Sequence, residues 1–590
     1  MKLKNLVIKN FRNFECAKID LSNQNVIFGM NDVGKTNMLY ALRFLLDRNI
    51  RKEGFRETDF FQCDTNKLIS ITLCVDISDR KTDEDSKHII AKVGGARSSD
   101  DLDNFYFRIE GAYDDSEEIG IPKLYWGNDF KNLEEINQNG IYSSIDSLFR
   151  IVYVDPSIDL ENTFTKNRKK LFDQTKLSDG DIQISNDIKQ IGNELNTKIS
   201  SMEVIRNFQD VITDEYKKLK DEDISIEMKS ELSINSYFGN LIPYIKKDDD
   251  DNIYPTSGDG RKKILAYSVL NHLIKEQEGN KIIIHLIEEP ENSLHRSMQI
   301  ALSQQLFNSK VYKYFFLSTH SSELLYEMDD ASLIRIYSQN RTNCESYLYI
   351  VEDEYRNVKK ELNSSLATAL FADKVLLVEG PSEKVLFQKI LEEVHPTYEL
   401  DGGYILDVSG IKFEPYVKVL KGLNIIPIVK TDNDLKAKNN NKMLFDLIGI
   451  NRCLNLLEIV QEGFESINAS PVEIDYSIFK DSKIKWPDSR KKRMVKDKKV
   501  SLYDNYIDDI YKFQENNIYL SRIDLEHDLY EVIGERMKEI LGGNPVKYLQ
   551  DHKLLNMIEL TDGLTYEDCT RIIKDSLFKP LRELVPHEFD

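Results

Sequence analysis

Polar and apolar residues alternate through the first positions, Met1-Lys-Leu-Lys-Asn-Leu-Val-Ile-Lys-Asn, a period of two that predicts a half-buried strand. Val26-Ile-Phe28 is a short apolar run ending in a glycine-bearing loop, and beyond it Met38, Leu39, Leu42, Leu45 and Leu46 mark one face of a helix. Further strand-like runs fall at 70–75 and 151–154. From about Asp181 the period lengthens: Ile184, Ile188, Ile191, Leu195 and Met202 recur at three, four and seven, which predicts a helical hairpin or bundle. The acidic run 248–251 reads as an exposed turn closing it. Strand character returns at 282–287 and 313–317, and a second α/β pattern runs on from near Asp373. The expected organisation is an α/β segment 1–154, a helical insertion 155–250, a return to the first domain over 251–350, and a second α/β domain 351–590.

A chain of 590 residues is too long for one core. With 41% hydrophobic and 30% charged residues it reads as globular, with no membrane span and no signal-like opening. Six cysteines without zinc or disulfide spacing fit a reducing cytoplasm. The net charge of −21 argues against a protein that coats nucleic acid nonspecifically. Basic residues are nonetheless clustered at 480–499, as either a solvated loop or a phosphate-contacting arm.

The sequence G-M-N-D-V-G-K-T at 29–36 fits G-x-x-x-x-G-K-[ST]. Glycines let backbone N–H groups curl round phosphate oxygens, and the next helix aims its N-terminus at them. Gly34 belongs to that loop, Lys35 would neutralise the β and γ phosphates, and the Thr36 hydroxyl would bind Mg²⁺. Ile282-Ile-Ile-His-Leu-Ile-Glu288-Glu289 supplies the acidic partner: Glu288 for the metal shell, Glu289 to polarise a water. Phe315-Phe-Leu-Ser-Thr-His320 is another apolar strand, ending in a histidine that is either structural or a γ-phosphate sensor. With Lys9-Asn-Phe-Arg-Asn-Phe, and with Asn31 and Asn37 around the loop, this part resembles the ABC ATPases of the RecF and SMC group. Ser257 and Gly258 stand where that group has its signature loop, which closes over a second subunit's nucleotide and implies ATP-linked dimerisation. Glu288 replaces the usual aspartate, the signature is divergent, and Gln62 is a weak candidate for the Q-loop glutamine, so ATP binding with slow hydrolysis is expected.

The run Phe371-Ala-Asp-Lys-Val-Leu-Leu-Val-Glu379-Gly-Pro-Ser-Glu383 reads as a buried strand, a turn and a helix start. Some fifty residues later, Ile425-Ile-Pro-Ile-Val-Lys-Thr-Asp432-Asn-Asp434 is a second strand ending in D-x-D. Parallel strands converge at their C-terminal ends, so Glu379, Asp432 and Asp434 can meet at one edge, with Glu383 as a further ligand. Such hard oxygen ligands suit Mg²⁺ or Mn²⁺ and two-metal phosphodiester hydrolysis. Singly, the first motif could be a helix start using glutamate against the dipole, and the second a solvated turn.

Together they resemble Toprim, and an ABC ATPase followed by Toprim is the arrangement of the OLD-family nucleases. The resemblance spans essentially the whole chain and is strongest to the nuclease subunits of Gabija anti-phage systems, through motifs at 26–37, 254–261, 286–295, 371–387 and 430–435. It implies an α/β protein: an ABC-type ATPase domain with a helical dimerisation insertion, then a Toprim nuclease domain. It also implies ATP, cleavage of double-stranded DNA, a homo-oligomer (dimer or tetramer) and a UvrD-like helicase subunit as partner. In this family acidic residues and a lysine follow the Toprim motifs. Asp524 and Glu526, side by side if 518–529 begins as a strand, fit as second-metal ligands. Lys553 fits the lysine that neutralises charge on the scissile phosphate, or is an ordinary exposed lysine. Two other readings stand beside the nuclease: an ATP-switched scaffold with vestigial carboxylates, and an ATP-driven repair motor.

Overall fold

The computed structural model describes residues 1–30, 33–93, 103–136, 143–158, 163, 178–219, 224–226, 244–246, 253–255, 259–276, 281–339, 341–410, 412–439, 441, 443–461, 463–474 and 488–585. These fall into two compact units, one of Met1–Tyr153, Asn280–Glu291 and Arg296–Asp590, the other of Val154–Gly279 and Asn292–His295.

The first unit opens on the predicted strand, Lys2–Phe11, whose alternate residues are buried. It belongs to an antiparallel sheet with Phe14–Asp20, Ile69–Asp76, Asn104–Asp114 and Ile119–Gly127. A second sheet places Gln24–Phe28 between two parallel neighbours, Phe315–Ser318 and Ala331–Gln339, with Ile282–Glu288 beyond the first of these. The helix Lys35–Leu46 buries Met38, Leu39, Ala41, Leu42, Phe44, Leu45 and Leu46, more than a one-faced stripe. These side chains share one core with Leu6 and Ile8 of the first sheet and Ile27, Leu286 and Phe316 of the second. Each such buried leucine contributes about 1.5–3 kcal/mol.

The same unit contains a four-stranded parallel sheet in the order Gly403–Asp407, Lys374–Val378, Ile426–Thr431, Ile518–Leu520. Helices Pro381–Val394, Leu525–Leu541, Lys553–Gly563 and Tyr566–Lys574 pack with it round a core of Leu376, Phe387, Ile428, Leu529, Leu560 and Ile572. Register carries the consequence for function. Val378 and Thr431 end adjacent parallel strands, so the next residues, Glu379 and Asp432, emerge at one edge. A fully buried ion pair braces that edge from below: Lys430 Nζ lies 2.7 Å from Asp528 Oδ2, with both side chains at most 3% exposed. Removing one member leaves a charge buried without its partner. Asp528→Ala is therefore expected to destabilise this domain by about 3–5 kcal/mol, read as a lower urea midpoint. A loss well under about 1 kcal/mol, the scale of an exposed pair, would contradict that account.

The second unit contains the helices Asp179–Ser200 and Glu203–Leu219, joined at Ser201 and Met202; the segment is helical as expected, but Ile184, Ile191, Leu195 and Met202 of the expected apolar face are exposed. It also contains an antiparallel ladder of Tyr244–Lys246 with Ile253–Pro255, and the helix Asp259–Glu276. The expected acidic turn at 248–251 lies outside the described residues. Among the described residues no helix is long and apolar enough to cross a membrane.

Candidate nucleotide and metal sites

Gly34 caps the helix Lys35–Leu46 at φ 116°, in the left-handed region. A Cβ there would also run into the Asn13 amide, so glycine is required twice over. Asn13 Nδ2 donates to the Val33 carbonyl (2.6 Å) and Asn37 Nδ2 donates to Asn13 Oδ1 (2.9 Å). Arg12 Nη1 donates to Asn37 Oδ1 (2.9 Å), so Asn37 braces the loop from behind. The buried Lys35 directs Nζ into the loop, donating to the carbonyls of Gly29 (3.0 Å) and Met30 (2.9 Å). Asn31, Ser257 and Gly258 lie outside the described residues.

Parallel register brings the acidic groups to the loop: Glu288 pairs with Ser318, and Ser318 with Ile27. Thr36 Oγ1 donates to Glu288 Oε1, and the Tyr153 hydroxyl donates to Glu288 Oε2 (2.6 Å). Thr36 and Glu288 are thus already in contact, as a shared Mg²⁺ shell requires. Glu289 adopts φ 41°, uncommon for a side-chain-bearing residue and frequent where function fixes the backbone. His320 Nε2 stands 3.7 Å from Glu289 Oε1. Burial, and then the charge of Lys35, hold the imidazole below its ordinary pKa. Glu291, for which the local sequence gives no signal, accepts from Thr319 Oγ1 (2.9 Å) and the His320 N–H (2.6 Å). Burial pushes its carboxyl up. Gln62 (φ 54°) lines a cleft of about 510 Å³ with Arg12, Asn13 and Asn37.

At the Toprim edge, Glu379 Oε1 accepts from Thr431 Oγ1 (2.6 Å), the Asp432 N–H (3.1 Å) and Arg452 Nη1. Arg452, on the helix Ile448–Val460, was not anticipated; a lone arginine on a helix carries no local signal. That helix comes close because of Gly449: a Cβ there would stand 2.4 Å from the Asp432 carbonyl oxygen. Glu383 accepts from the N–H groups of Glu379 and Gly380, so it does act at the helix start. Burial, and then the charge of Glu379, push its carboxyl up to about 7. Asp432 is buried and raised well above the usual carboxylate range, by burial and then by Glu383, Glu379, Glu526 and Asp524.

The segment 518–529 does begin as a strand, but not one long enough to set Asp524 and Glu526 side by side. The strand stops at Leu520, and Asp524 caps the helix Leu525–Leu541 by accepting from the His527 N–H (2.9 Å). Glu526 lies in the first helical turn and is buried. The pair still reaches the cluster, because the helix starts at the sheet edge and the Leu525 N–H donates to Asp432 Oδ1 (3.0 Å). Burial raises Glu526, with the charge of Asp524 adding to it. At Asp524 burial acts the same way but hydrogen bonding from His527 outweighs it, leaving the pKa low. Lys553 lies 3.9 Å from Glu526 Oε1. Burial lowers its pKa, but Glu526, Asp432, Glu383 and Glu379 together raise it. Asp434 stands apart, 48% exposed and paired with Lys499 (3.2 Å).

Among the described residues five carboxylates crowd one edge, and burial disfavours the charge of Glu383, Asp432 and Glu526. An all-oxygen set that costly without a cation fits a hard divalent ion. Among the described residues no three acidic, histidine or cysteine side chains are already drawn into one coordination sphere. Glu379 and Asp434 are instead turned to Arg452 and Lys499.

Fold and site define an ATPase joined to a Toprim nuclease. Residues 1–178 match the AAA ATPase domain family, and residues 370–434 match the Toprim domain of overcoming lysogenization defect protein-like proteins. The chain is 50% identical to the endonuclease GajA of Bacillus cereus (strain VD045), covering 99% of both chains. It is 22% identical to the endonuclease GajA of Bacillus cereus (strain HuB5-5), covering 76% of this chain and 79% of that one. It is 21% identical to the Old nuclease of Escherichia phage P2, covering 81% and 84%. The chain belongs to the GajA endonuclease family.

Proposed function

We propose that this enzyme hydrolyses phosphodiester bonds of double-stranded DNA at the Toprim edge, using Mg²⁺ or Mn²⁺, and that ATP at 29–36 restrains it. One observation carries the nuclease site: Glu379 and Asp432 follow adjacent parallel strands at one sheet edge, where the Leu525 N–H donates to Asp432 Oδ1 and Lys553 lies 3.9 Å from Glu526. Glu383, Asp432, Asp524 and Glu526 are the metal-holding carboxylates, with Glu379 held in place by Thr431 and Arg452. Divalent ions there would activate water and offset phosphate charge. Lys553 sits to neutralise the oxygen that gains charge as the bond breaks. Asp434 joins the ligands once Lys499 releases it. Similarity to the endonuclease GajA supports the nuclease reading; an anti-phage role in the cytoplasm, as a homo-oligomer with a UvrD-like helicase subunit, is part of the same proposal. The test is plasmid cleavage with Mg²⁺ or Mn²⁺ at a series of ATP concentrations. No cleavage under any condition would leave the ATP-switched scaffold.

Packing between the ATPase sheet and the Toprim sheet favours the regulatory part. The His320 ring stacks on Phe371 (centroids 5.5 Å, 23°), and Phe28, just before the phosphate loop, meets the same ring edge-on (6.2 Å). Two residues on, Asp373 is gripped by Arg335 of the ATPase sheet (2.5 Å). The strand that begins at Lys374 ends next to Glu379. A shift of His320 on meeting a γ-phosphate thus has a short, packed route to the nuclease edge. Phe371→Ala is expected to bind ATP and cleave DNA without ATP normally, yet lose most of the ATP restraint. An unchanged ATP response in this variant would break the route.

A further inference from the structure

The helix Asp488–Asn505 holds seven lysines and arginines against three aspartates, in a chain whose net charge is −21. Composition allowed a solvated loop; the described part, from Asp488, is helical, and its C-terminal end is packed against the Toprim edge. Near its C-terminus Leu502 is buried, Lys499 Nζ donates to Asp434 Oδ1 (3.2 Å) and the Ile523 carbonyl (3.3 Å), and Asn433 Nδ2 donates to the Lys499 carbonyl (3.1 Å). Nearer its start, Lys492, Arg493 and Lys496 are exposed.

Lys492, Lys496 and Lys499 recur at i, i+4 and i+7, so they share one helix face over about 10 Å of axis. Asp497 lies about 200° round the axis from Lys499, on the far side. A row of cations therefore starts in solvent and ends on the second aspartate of the D-x-D motif. Its chemical complement is a polyanion with regularly spaced charges. Exposed lysines and arginines suit that ligand, because they bind phosphates mainly through counterion release and need no buried pocket.

We infer that this helix is the docking rail for the DNA substrate: phosphates of one strand lie along Lys492, Arg493 and Lys496 and lead the scissile bond to the carboxylates beside Lys499. The inference rests on the DNA nuclease reading above and adds where the substrate is held. None of the three docking residues belongs to the metal cluster, so their loss weakens binding and leaves the chemistry intact.

The test uses the full chain and a short fluorescein-labelled DNA duplex, with EDTA to prevent cleavage, titrated by anisotropy at several KCl concentrations. Lys492→Gln/Arg493→Gln/Lys496→Gln should reduce the slope of log affinity against log salt by about 2–3, at roughly 0.9 for each phosphate no longer neutralised. In plasmid cleavage KM should rise about tenfold or more while kcat is kept, since docking but not transition-state binding is lost. The charge-preserving variant Lys492→Arg/Arg493→Lys/Lys496→Arg should restore both. An unchanged slope and KM in the glutamine variant overturns the rail, as does a wild-type protein that binds an RNA duplex but no DNA. Failure of the nuclease reading is seen separately, as cleavage that survives Glu379→Ala.

Discussion

Glu379→Ala is expected to reduce DNA cleavage roughly a thousandfold or more while folding and ATP binding persist. Glu379 follows the end of Lys374–Val378, and three donors, Thr431, the Asp432 backbone and Arg452, converge on its Oε1. Truncation removes the acceptor at the centre of that arrangement and leaves Arg452 beside a metal site it would oppose electrostatically. The phosphate loop lies on a different sheet and keeps its own bracing by Asn13, Asn37 and Arg12. Adding Asp432→Ala or Asp434→Ala to Glu379→Ala should cost little more, because residues that act as one unit are not additive. Nicking of supercoiled plasmid with Mg²⁺ or Mn²⁺ measures the rate, and nucleotide binding by the same preparation reports folding. A variant that still cleaves near the wild-type rate would remove the Toprim edge as the active site.

Lys35→Ala is expected to cleave DNA as the wild type does without nucleotide, and to keep that rate when ATP is added. Wild-type cleavage should instead fall by about tenfold or more between submicromolar and millimolar ATP. An effect of that size requires ATP to favour the restrained state at least about tenfold, since tight binding without preference shifts nothing. Lys35 is the natural point of failure. Its ammonium is held inside the loop by the Gly29 and Met30 carbonyls, where the β and γ phosphates would draw it. Glu288, one methylene longer than the usual aspartate, and the divergent loop at 257–260 fit slow turnover, and on that proposal occupancy rather than hydrolysis would carry the signal. Cleavage by the wild type that ignores ATP across the whole range would defeat this regulation. Cleavage that demands hydrolysable ATP would make the module a motor.

Both centres were legible in the sequence wherever chemistry and local shape coincide. G-x-x-x-x-G-K-T, the acidic end of 282–289, Glu379 and Asp432 each follow an apolar run at the point where a parallel strand must end. Short-range rules suffice there, because strand, turn and functional group lie within a few residues of one another. Asp524 and Glu526 were read as side by side on a strand, whereas they stand at the start of a helix. An aspartate followed by Glu526 and Asp528 is also a helix-start pattern, and capping of the His527 N–H decided for the helix.

Other features depend on residues far apart in sequence, and there the folded chain alone decided. Nothing near Arg452 announces that it will meet Glu379, 73 positions away, and Gly449 matters only because the D-x-D backbone passes against it. The buried Lys430–Asp528 pair, 98 positions apart, is invisible until two elements close on each other. Lys499 looked like one more cation in a polar run; tertiary packing made it the partner of Asp434. Phe371 read as the lead-in to a strand, and packing set it against His320 and Phe28. Local pattern fixes which groups a strand or helix end presents, because backbone geometry repeats every two or 3.6 residues. Which distant group neutralises, orients or restrains them follows from burial, where charges must find partners and side chains must fill space.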